Sequence, residues 1–416
     1  MVDQLRTAAA ARPPERRSAP IEKQPVEFTG SGGEYFRVWI VNVLLSIVTL
    51  GIYTPWARRR TAQYFYSHTQ VAGSPLEFVA SQRRMVFGFL AFAGLYVAYK
   101  LAMQTGQQLA ASLLLFAFAA AAPVLWAGAM RFRLGATRWR GIRMAFTATW
   151  KEVYLASWPV FAAAAIWTAF FFIAAAISPH PPIGTAGDGP ALKLPALIPA
   201  VIGLGLLCVV LTLLCAIRLE YNYRRLLVAR ARIGGQVGHW KPVYADFVKV
   251  WLATALFFVI ALVLVGLAFS TLTVAAGYLA KEWAGSNILT AILMGILAFV
   301  VMLLLMFMLS VPARAYREAR MFQLVWNNIG VAHIARSKTS LKTGAFIWLK
   351  IKNLLLTLIT LGFYRPFAVA SEYAAKVGSV TLYIKGGTDQ LVGELVKQQG
   401  AFGDAAADAL GLDLIG

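Results

Sequence analysis

The chain alternates between long apolar blocks and shorter polar segments rich in arginine. Eight apolar blocks are recognisable, at 38–56, 85–103, 109–130, 155–177, 196–217, 250–276, 288–311 and 346–367. A helix needs about 20 apolar residues to cross a bilayer. The six inner blocks reach this length and carry no charged residue near their centres. They predict an α-helical polytopic membrane protein with six spans, arranged as three transmembrane helical hairpins.

The basic residues divide the connecting segments into two sets. Arginine and lysine are concentrated in 57–84, 131–153, 218–249 and 312–345, whereas the alternate connections carry only Lys193 and Lys281. The positive-inside rule therefore places the basic set in the cytoplasm. The N-terminal tail, 1–25, is basic as well, and it would lie on the opposite side from 57–84 if block 38–56 crossed the membrane. We therefore expect that block to enter and return or to lie at the interface, with both termini cytoplasmic.

The first and last blocks are near copies of each other. Residues 42–57 align without a gap with residues 353–368. Glycine permits unusual backbone angles and proline cannot continue a helix, so a bend is expected at each Thr-Leu-Gly. The pair predicts two re-entrant or interfacial helical elements. Their shared positions form a candidate structural or binding motif: Asn42, Thr49, Gly51, Tyr53, Pro55, Trp56, Asn353, Thr360, Gly362, Tyr364 and Pro366.

The polar groups of this motif have two interpretations. Asn42 and Asn353 can bridge their own elements while the threonines satisfy the bend, which is the structural interpretation, or these side chains can line a solute path. A related hypothesis is that the two elements pack as a pseudo-symmetric pair and bond to each other through these groups. The nearby aromatic residues favour an interfacial belt over a ligand-binding cluster. They are Tyr53, Trp56, Tyr64 and Tyr66.

Short alternating runs around glycine recur in the basic segments. They occur at 69–78, 138–146, 232–244 and 378–386. Alternation with glycine turns is typical of β-hairpins, so we expect repeated cytoplasmic hairpins. At the ends of the chain, this predicts a disordered basic tail (1–25) and a C-terminal tail of short surface helices (389–416). Next to these tails lie two regions that each combine a hairpin with a re-entrant repeat (26–84 and 312–388). Between them lie a transmembrane hairpin (85–130) and two units that each combine a cytoplasmic β-hairpin with a transmembrane hairpin (131–217 and 218–311).

Composition supports the membrane class and narrows the chemistry. Hydrophobic residues make up 59% of the chain and charged residues 14%, with a mean hydropathy of +0.65, whereas a soluble domain has about 25% charged residues. The net charge of +21 lies in loops between apolar blocks, which favours anionic lipid headgroups over nucleic acid as partners. Cys208 and Cys215 are expected to be small apolar residues of one helix. The four histidines have no metal-binding spacing, and we expect neither a cofactor nor enzymatic activity.

Several motifs carry a family resemblance. They include Phe28-x-Gly30, Glu34-Tyr-Phe36, Thr49-Leu-Gly51 and Pro55-Trp-Ala57, with Arg138-Trp-Arg-Gly141 in an inner repeat. In these residues the chain resembles the YjgN family of bacterial inner-membrane proteins, a domain of unknown function. The resemblance extends over most of the chain and implies a bacterial inner-membrane location. It implies no activity and no catalytic residues.

Two functions remain open from the sequence. The spans contain hydroxyl groups but no central ionisable group, which argues against proton coupling. The first expectation is a binding or scaffold protein that acts with a membrane partner, and its oligomeric state is open. The alternative is a channel or carrier for a lipid or a small apolar solute. A continuous polar cavity between the two Thr-Leu-Gly bends would favour the carrier, and a packed interior with a large apolar flank would favour the scaffold.

Overall fold

Ten short strands close into an antiparallel barrel. After every odd-numbered strand, the chain leaves the barrel as a group of helices and returns to it in the next strand. The computed structural model describes residues 20–177, 198–241, 243–283, 288–331, 334–393 and 395–396. The strands are β1 (Ile21–Phe28), β2 (Thr69–Val71), β3 (Ser74–Phe78), β4 (Thr137–Trp139), β5 (Ile142–Phe146), β6 (Ala231–Ile233), β7 (Gln236–Trp240), β8 (Ile329–Val331), β9 (Ala335–Thr339) and β10 (Val380–Lys385).

The helices form five groups, each inserted between two strands. They are α1 (Gly32–Val48), α2 (Thr54–Ser67), α3 (Gln82–Gln104), α4 (Gln108–Gly135), α5 (Trp150–Ala156), α6 (Trp158–Ile177), α7 (Ile198–Arg230), α8 (Tyr244–Trp283), α9 (Ile288–Trp326), α10 (Thr343–Ile359) and α11 (Arg365–Val377). Each unit therefore consists of a strand, a helical insertion and a second strand. The insertions are α1–α2, α3–α4, α5–α7, α8–α9 and α10–α11. The repeat recognised in the sequence corresponds to the first and the last of these five units.

Tight turns join one unit to the next at the end of the barrel away from the helices. In the β2–β3 turn, Ala72 has φ 49° and Gly73 has φ 71°; in the β4–β5 turn, Arg140 has φ 49° and Gly141 has φ 77°. Two successive positive φ angles are the geometry of a type I′ turn, which matches the twist of antiparallel strands. These turns let short strands form a ladder without long connections.

Strand β1 closes the barrel because it pairs with strands from both ends of the chain. Its first part pairs with β10 from Ile21↔Lys385 to Pro25↔Thr381, and its last part pairs with β2 up to Phe28↔Thr69. Residues 21–25, which the sequence assigns to a disordered tail, are therefore part of the sheet. The alternation of this segment is hidden because polar residues occupy both faces: Lys23 is exposed, whereas Glu22 and Gln24 are half-buried on the face of Val26.

The barrel core is apolar and is covered at its outer end by the C-terminal segment. Trp139, Ile142 and Ile384 are buried in it, and Leu391 and Leu395 pack against the same cluster. Residues 388–393 are helical. The surface helix expected here is thus part of the core, because its two leucines face into the barrel.

In the part of the chain that the structure describes, six helices are long and apolar enough to cross a membrane. They are Gln82–Gln104, Gln108–Gly135, Trp150–Ala176, Pro199–Arg230, Tyr244–Ala275 and Gly295–Trp326. The first and last apolar blocks of the chain form α1 and α10, which have 17 residues each. A helix of that length extends about 26 Å, which is less than the roughly 30 Å of a hydrocarbon core. In both units the chain then turns and comes back to the barrel.

The barrel should depend on its buried face far more than on its outer face. Ile384 of β10 is fully buried, whereas Ile21 of the adjacent β1 is 66% exposed. We expect Ile384→Ala to lower the free energy of unfolding by about 2–5 kcal/mol, and Ile21→Ala to change it by less than about 0.5 kcal/mol. Denaturant unfolding of the purified protein in detergent measures both. Equal losses would show that this region has no packed interior.

Candidate functional site

The two short helix–turn–helix elements share one turn geometry. Leu50 and Leu361 both have φ 49°, and Gly51 and Gly362 follow with φ 87° and 97°. In each turn the glycine N–H donates to a carbonyl five residues earlier, at 2.7 Å. This is a Schellman cap, in which the left-handed position is usually a glycine. Here a leucine occupies that position in both elements.

The threonines of the motif complete the same turn. The Thr49 hydroxyl donates to Leu45 O at 2.7 Å and accepts from Tyr53 N at 3.0 Å. The Thr360 hydroxyl likewise donates to Leu356 O at 2.7 Å and accepts from Tyr364 N at 2.9 Å. Pro55 and Pro366 stand in the first turn of α2 and α11, where the missing N–H costs little. The motif thus ends one helix and starts the next.

The two asparagines bridge the helices of their own elements. Asn42 Nδ2 donates to Ala57 O at 3.3 Å, and Asn353 Nδ2 donates to Ala368 O at 3.3 Å. The hypothesis that these groups bond from one element to the other is therefore wrong, because each side chain faces the helix that returns beside it. Both asparagines are buried, and in the described structure neither Oδ1 atom has a hydrogen-bond partner.

The elements nevertheless lie side by side through α1 and α11. Phe36 and Phe367 stack with their ring centroids 5.7 Å apart. A Cβ atom on Gly32 would come within 2.7 Å of the Phe367 ring, so the start of α1 needs a glycine for this approach. This contact joins the first and the last of the five strand–helix–strand units.

The tips of both elements are apolar and exposed. Leu50 is 94% exposed and Leu361 is 91% exposed, and Val48 and Ile359 beside them are also mainly exposed. Large exposed apolar patches mark interaction sites for membranes or proteins. Near the first tip, Arg60 Nη1 donates to the Tyr53 hydroxyl at 3.2 Å.

The four aromatic residues singled out in the sequence do not act together. Tyr53 stacks on Trp56 near the first tip, with centroids 6.0 Å apart, while Tyr66 contacts Phe78. Tyr64 belongs to a buried cluster at the base of the element instead. Burial and the neighbouring Glu34 carboxylate raise the pKa of Tyr64 to about 12, so its hydroxyl stays protonated and donates to Ser31 O at 2.8 Å.

A groove of about 940 Å³ separates the first element from the α3–α4 hairpin. Asn42 lies in its wall, together with Arg58 from α2 and Arg133 from the end of α4. The rest of the wall is largely apolar, with Trp39, Val43, Ile47, Tyr66, Phe78, Met85, Met130 and Phe132. Sequence reasoning can find the α1 and α2 side of this groove from the repeat. It has no signal for the α4 side, because only the barrel brings residue 133 next to residue 42.

Ion pairs fasten the last element to α9. Lys350 Nζ lies 2.9 Å from a Glu318 carboxylate oxygen and 2.6 Å from one of Glu372. Lys376 Nζ lies 2.7 Å from the other Glu318 oxygen. These carboxylates raise the pKa of Lys350 against the opposing effect of burial. The two elements thus share a turn but differ in their attachment.

A second cluster of charges lies where α7, α8 and α9 leave the apolar blocks. Glu220 accepts from Arg224 at 2.7 Å, from Arg317 at 2.7 Å and from Trp251 Nε1 at 2.8 Å. A cavity of about 510 Å³ adjoins it. Most of these residues lie beyond the apolar blocks, so the sequence does not predict the network. Through Glu220, this network links α7 to α8 and α9 between the apolar spans and the barrel.

The described residues hold no group of three histidine, cysteine or acidic side chains that could bind a metal ion. Cys208 is buried in α7, and Cys215, in the same helix, is half-buried. His68 contacts Tyr64 O through its Nδ1 atom at 2.8 Å. His180 and His333 lie outside the described residues.

Six spanning-length helices on one closed sheet define a polytopic helical membrane protein. A family model described as "Bacterial protein of unknown function (DUF898)" matches residues 23–409, and the chain belongs to this family. Its relatives include proteins named inner membrane protein YjgN, so the resemblance to that family is confirmed.

The matched relatives come from enteric bacteria. The chain is 30% identical to the protein of Escherichia coli O157:H7 over 146 residues, which is 35% of this chain and 37% of that protein. It is 25% identical to the protein of Salmonella typhimurium over 148 residues, or 38% of that protein. The chain thus aligns with little more than a third of the length of these relatives. No solved structure matches.

The turn glycines should tolerate no β-branched side chain. Gly51 and Gly362 have positive φ angles, which such residues rarely adopt. We expect Gly51→Val and Gly362→Val each to lower the free energy of unfolding by about 1–3 kcal/mol. Thermal unfolding in detergent measures the loss. Gly94→Val is the matched control, since Gly94 lies in α3 with open space around it; stability equal to that control would show that the turns are not strained.

Proposed function

We propose that the protein is an inner-membrane lipid-binding protein, with its barrel and both termini in the cytoplasm. In this proposal the groove beside α1–α2 holds a lipid with an anionic headgroup. The observation that carries it is the groove itself, which combines an apolar wall with Arg58 and Arg133. Apolar walls with a few placed polar groups are typical of ligand sites.

The charge and depth of the groove support this ligand class. Arginine binds phosphate groups through a fork of donors. Arg133 lies close to the barrel, two residues before α4 ends, so it suits a headgroup at the membrane surface. Asn42 adds a buried Oδ1 atom that has no donor in the described structure, and a headgroup hydroxyl would supply one.

The ligand is expected to stay in one leaflet. The α3 and α4 residues of the wall, such as Met85 and Met130, come from the barrel-side ends of those spans. Leu50 and Leu361 are exposed in short insertions that begin and end on the barrel. This arrangement favours binding over transport across the bilayer. It also suits the names of the relatives, which are inner membrane proteins.

The orientation can be tested with single cysteines. With Cys208 and Cys215 replaced by serine, we expect Thr105→Cys to react with a membrane-impermeant maleimide in intact cells, because Thr105 lies in the α3–α4 connection away from the barrel. Glu77→Cys, on the outer face of β3, should react only after the cells are opened, since basic segments stay in the cytoplasm. The opposite labelling pattern would contradict the proposed orientation.

The lipid site can be tested by native mass spectrometry. In nanodiscs of phosphatidylglycerol and phosphatidylcholine, the wild type should retain phosphatidylglycerol. Each well-placed arginine contributes roughly 1 kcal/mol toward anionic lipid, so Arg58→Gln with Arg133→Gln should lower that retention by about tenfold or more. Arg60→Gln is the control, because Arg60 binds the Tyr53 hydroxyl and does not line the groove. Equal retention in the double variant and the control would refute the groove as the site.

A scaffold role is the second candidate. Only 6–11% of the most apolar stretch of each of the six spans is buried, so the spans offer wide surfaces to a membrane partner or to another copy of the chain. Unlike lipid binding, this role predicts a discrete complex that survives mild detergent. Mass measurement of the extracted particle separates the two: a monomer with bound phosphatidylglycerol supports the lipid-binding proposal, and a fixed larger assembly without it supports the scaffold.

A further inference from the structure

The interior of the barrel contains a cavity of about 360 Å³. Ligand pockets in proteins range from roughly 300 to 1,000 Å³. Apolar side chains such as Val71, Leu76, Ile233 and Leu382 line it from the strands. A barrel with more than eight strands is wider than its side chains can readily fill, and the small side chain of Ala335 leaves further space.

Four of the polar side chains that line this cavity have hydrogen-bond partners within the protein. Thr69 Oγ1 and the Tyr373 hydroxyl lie 2.8 Å apart. Trp139 Nε1 donates to Val71 O at 2.9 Å, and the Ser337 hydroxyl donates to Ile329 O at 3.2 Å. A buried water needs two to four polar partners, and each of these groups already bonds to another group of the protein. The cavity therefore suits an apolar occupant better than water.

The two ends of the cavity are closed differently. At the end toward the membrane, Phe322 and Trp326 of α9 and Tyr373 of α11 form the floor. At the outer end, Leu391 and Leu395 close the cavity, and they belong to a short cover segment, residues 388–393 with 395–396. The floor belongs to helices that are anchored in or against the membrane, whereas the cover segment has no such anchor among the described residues.

The cover segment is held by a few contacts at its rim. The Thr388 N–H donates to a Glu22 carboxylate oxygen at 3.2 Å, and Asp389 lies 3.8 Å from Arg140 in an ion pair whose aspartate is fully exposed. Such an exposed pair contributes little. Opening this end exposes the two leucine side chains, whereas opening the other end would require α9 and α11 to leave the barrel.

We infer that the barrel is a binding chamber for a single hydrocarbon chain, such as that of a fatty acid, and that the cover segment is its removable lid. An unfilled apolar void of this volume destabilises a protein in proportion to its size, and a hydrocarbon chain removes that cost. This chamber lies inside the sheet and is separate from the groove beside α1–α2, so it does not rest on the proposed lipid site.

A photoreactive fatty acid carrying a diazirine and an alkyne tests the chamber. The purified protein in nanodiscs is irradiated with this probe, and the labelled peptides are identified by mass spectrometry. We expect labels on strand residues that face the chamber, such as Met144 and Ile233. Labelling confined to the spans would overturn the inference.

Filling the chamber should abolish this labelling. We expect Ala335→Phe to reduce strand labelling by roughly tenfold or more, because the added ring occupies the space of the chain. Val237→Phe adds the same ring at a position that is 40% exposed, and it should keep wild-type labelling. If Ala335→Phe does not fold, Ala335→Val should give an intermediate loss. Full labelling of either folded Ala335 variant would overturn the inference.

The cover segment has its own test. A Cβ atom on Gly234 would lie 2.6 Å from Leu395 O, so Gly234→Ala should displace the cover segment and raise the initial labelling rate severalfold. Gly141→Ala is the matched control: it is a turn glycine with positive φ and nothing within 4 Å. Equal rates in the two variants would refute the lid role. Arg58→Gln should leave chamber labelling unchanged, which separates this result from the groove.

Discussion

Closure of the barrel is the constraint on which the rest of the architecture depends. Ile21 pairs with Lys385, so strands from the two ends of the chain meet in one sheet. Every helical insertion starts on one strand of this sheet and ends on another. Each insertion must therefore cross the membrane an even number of times or not at all. Each of the three long insertions contains two helices long enough to cross, and the two short ones also begin and end on the barrel.

The same constraint explains the distribution of charge along the chain. All segments that flank the strands lie on the barrel side, and these are the segments in which arginine and lysine are concentrated. The positive-inside rule and barrel closure are independent arguments, one electrostatic and one topological. Both predict that the first insertion begins and ends on one side of the membrane, so that block 38–56 would not make a single, unpaired crossing. Networks such as Glu220 with Arg224 and Arg317 then join the insertions where they leave the bilayer.

The sequence predicts the helical part of this fold well and the sheet only locally. Spans are visible because a run of about 20 apolar residues matches the thickness of a bilayer and rarely occurs outside one. The strands have only three to five residues in most units, so alternation can suggest a turn such as that at Gly141 but not its partners. Closure joins positions more than 350 residues apart, and no local pattern encodes it. The five-unit repeat is hidden for the same reason, since long spans interrupt three of the units.

The candidate site, too, can be predicted from the sequence only where its geometry is local. Its turn can be derived from the Thr-Leu-Gly pattern, because glycine and proline have local effects. The groove cannot be derived, since the sheet alone brings Arg133 and Asn42 into one wall. The sequence also does not decide whether each asparagine bonds to the second helix of its own element or to the other element. That choice depends on how the helices pack.

The leucines at the two tips combine a strained backbone with an exposed side chain. A left-handed residue other than glycine costs roughly 1–2 kcal/mol, and both elements place a leucine there rather than the glycine that follows. Burial within the described structure does not offset this strain, because Leu50 and Leu361 are 94% and 91% exposed. Burying a leucine side chain in an apolar environment gains about 1.5–3 kcal/mol. Insertion of the two tips into a leaflet would therefore offset the strain of the turn.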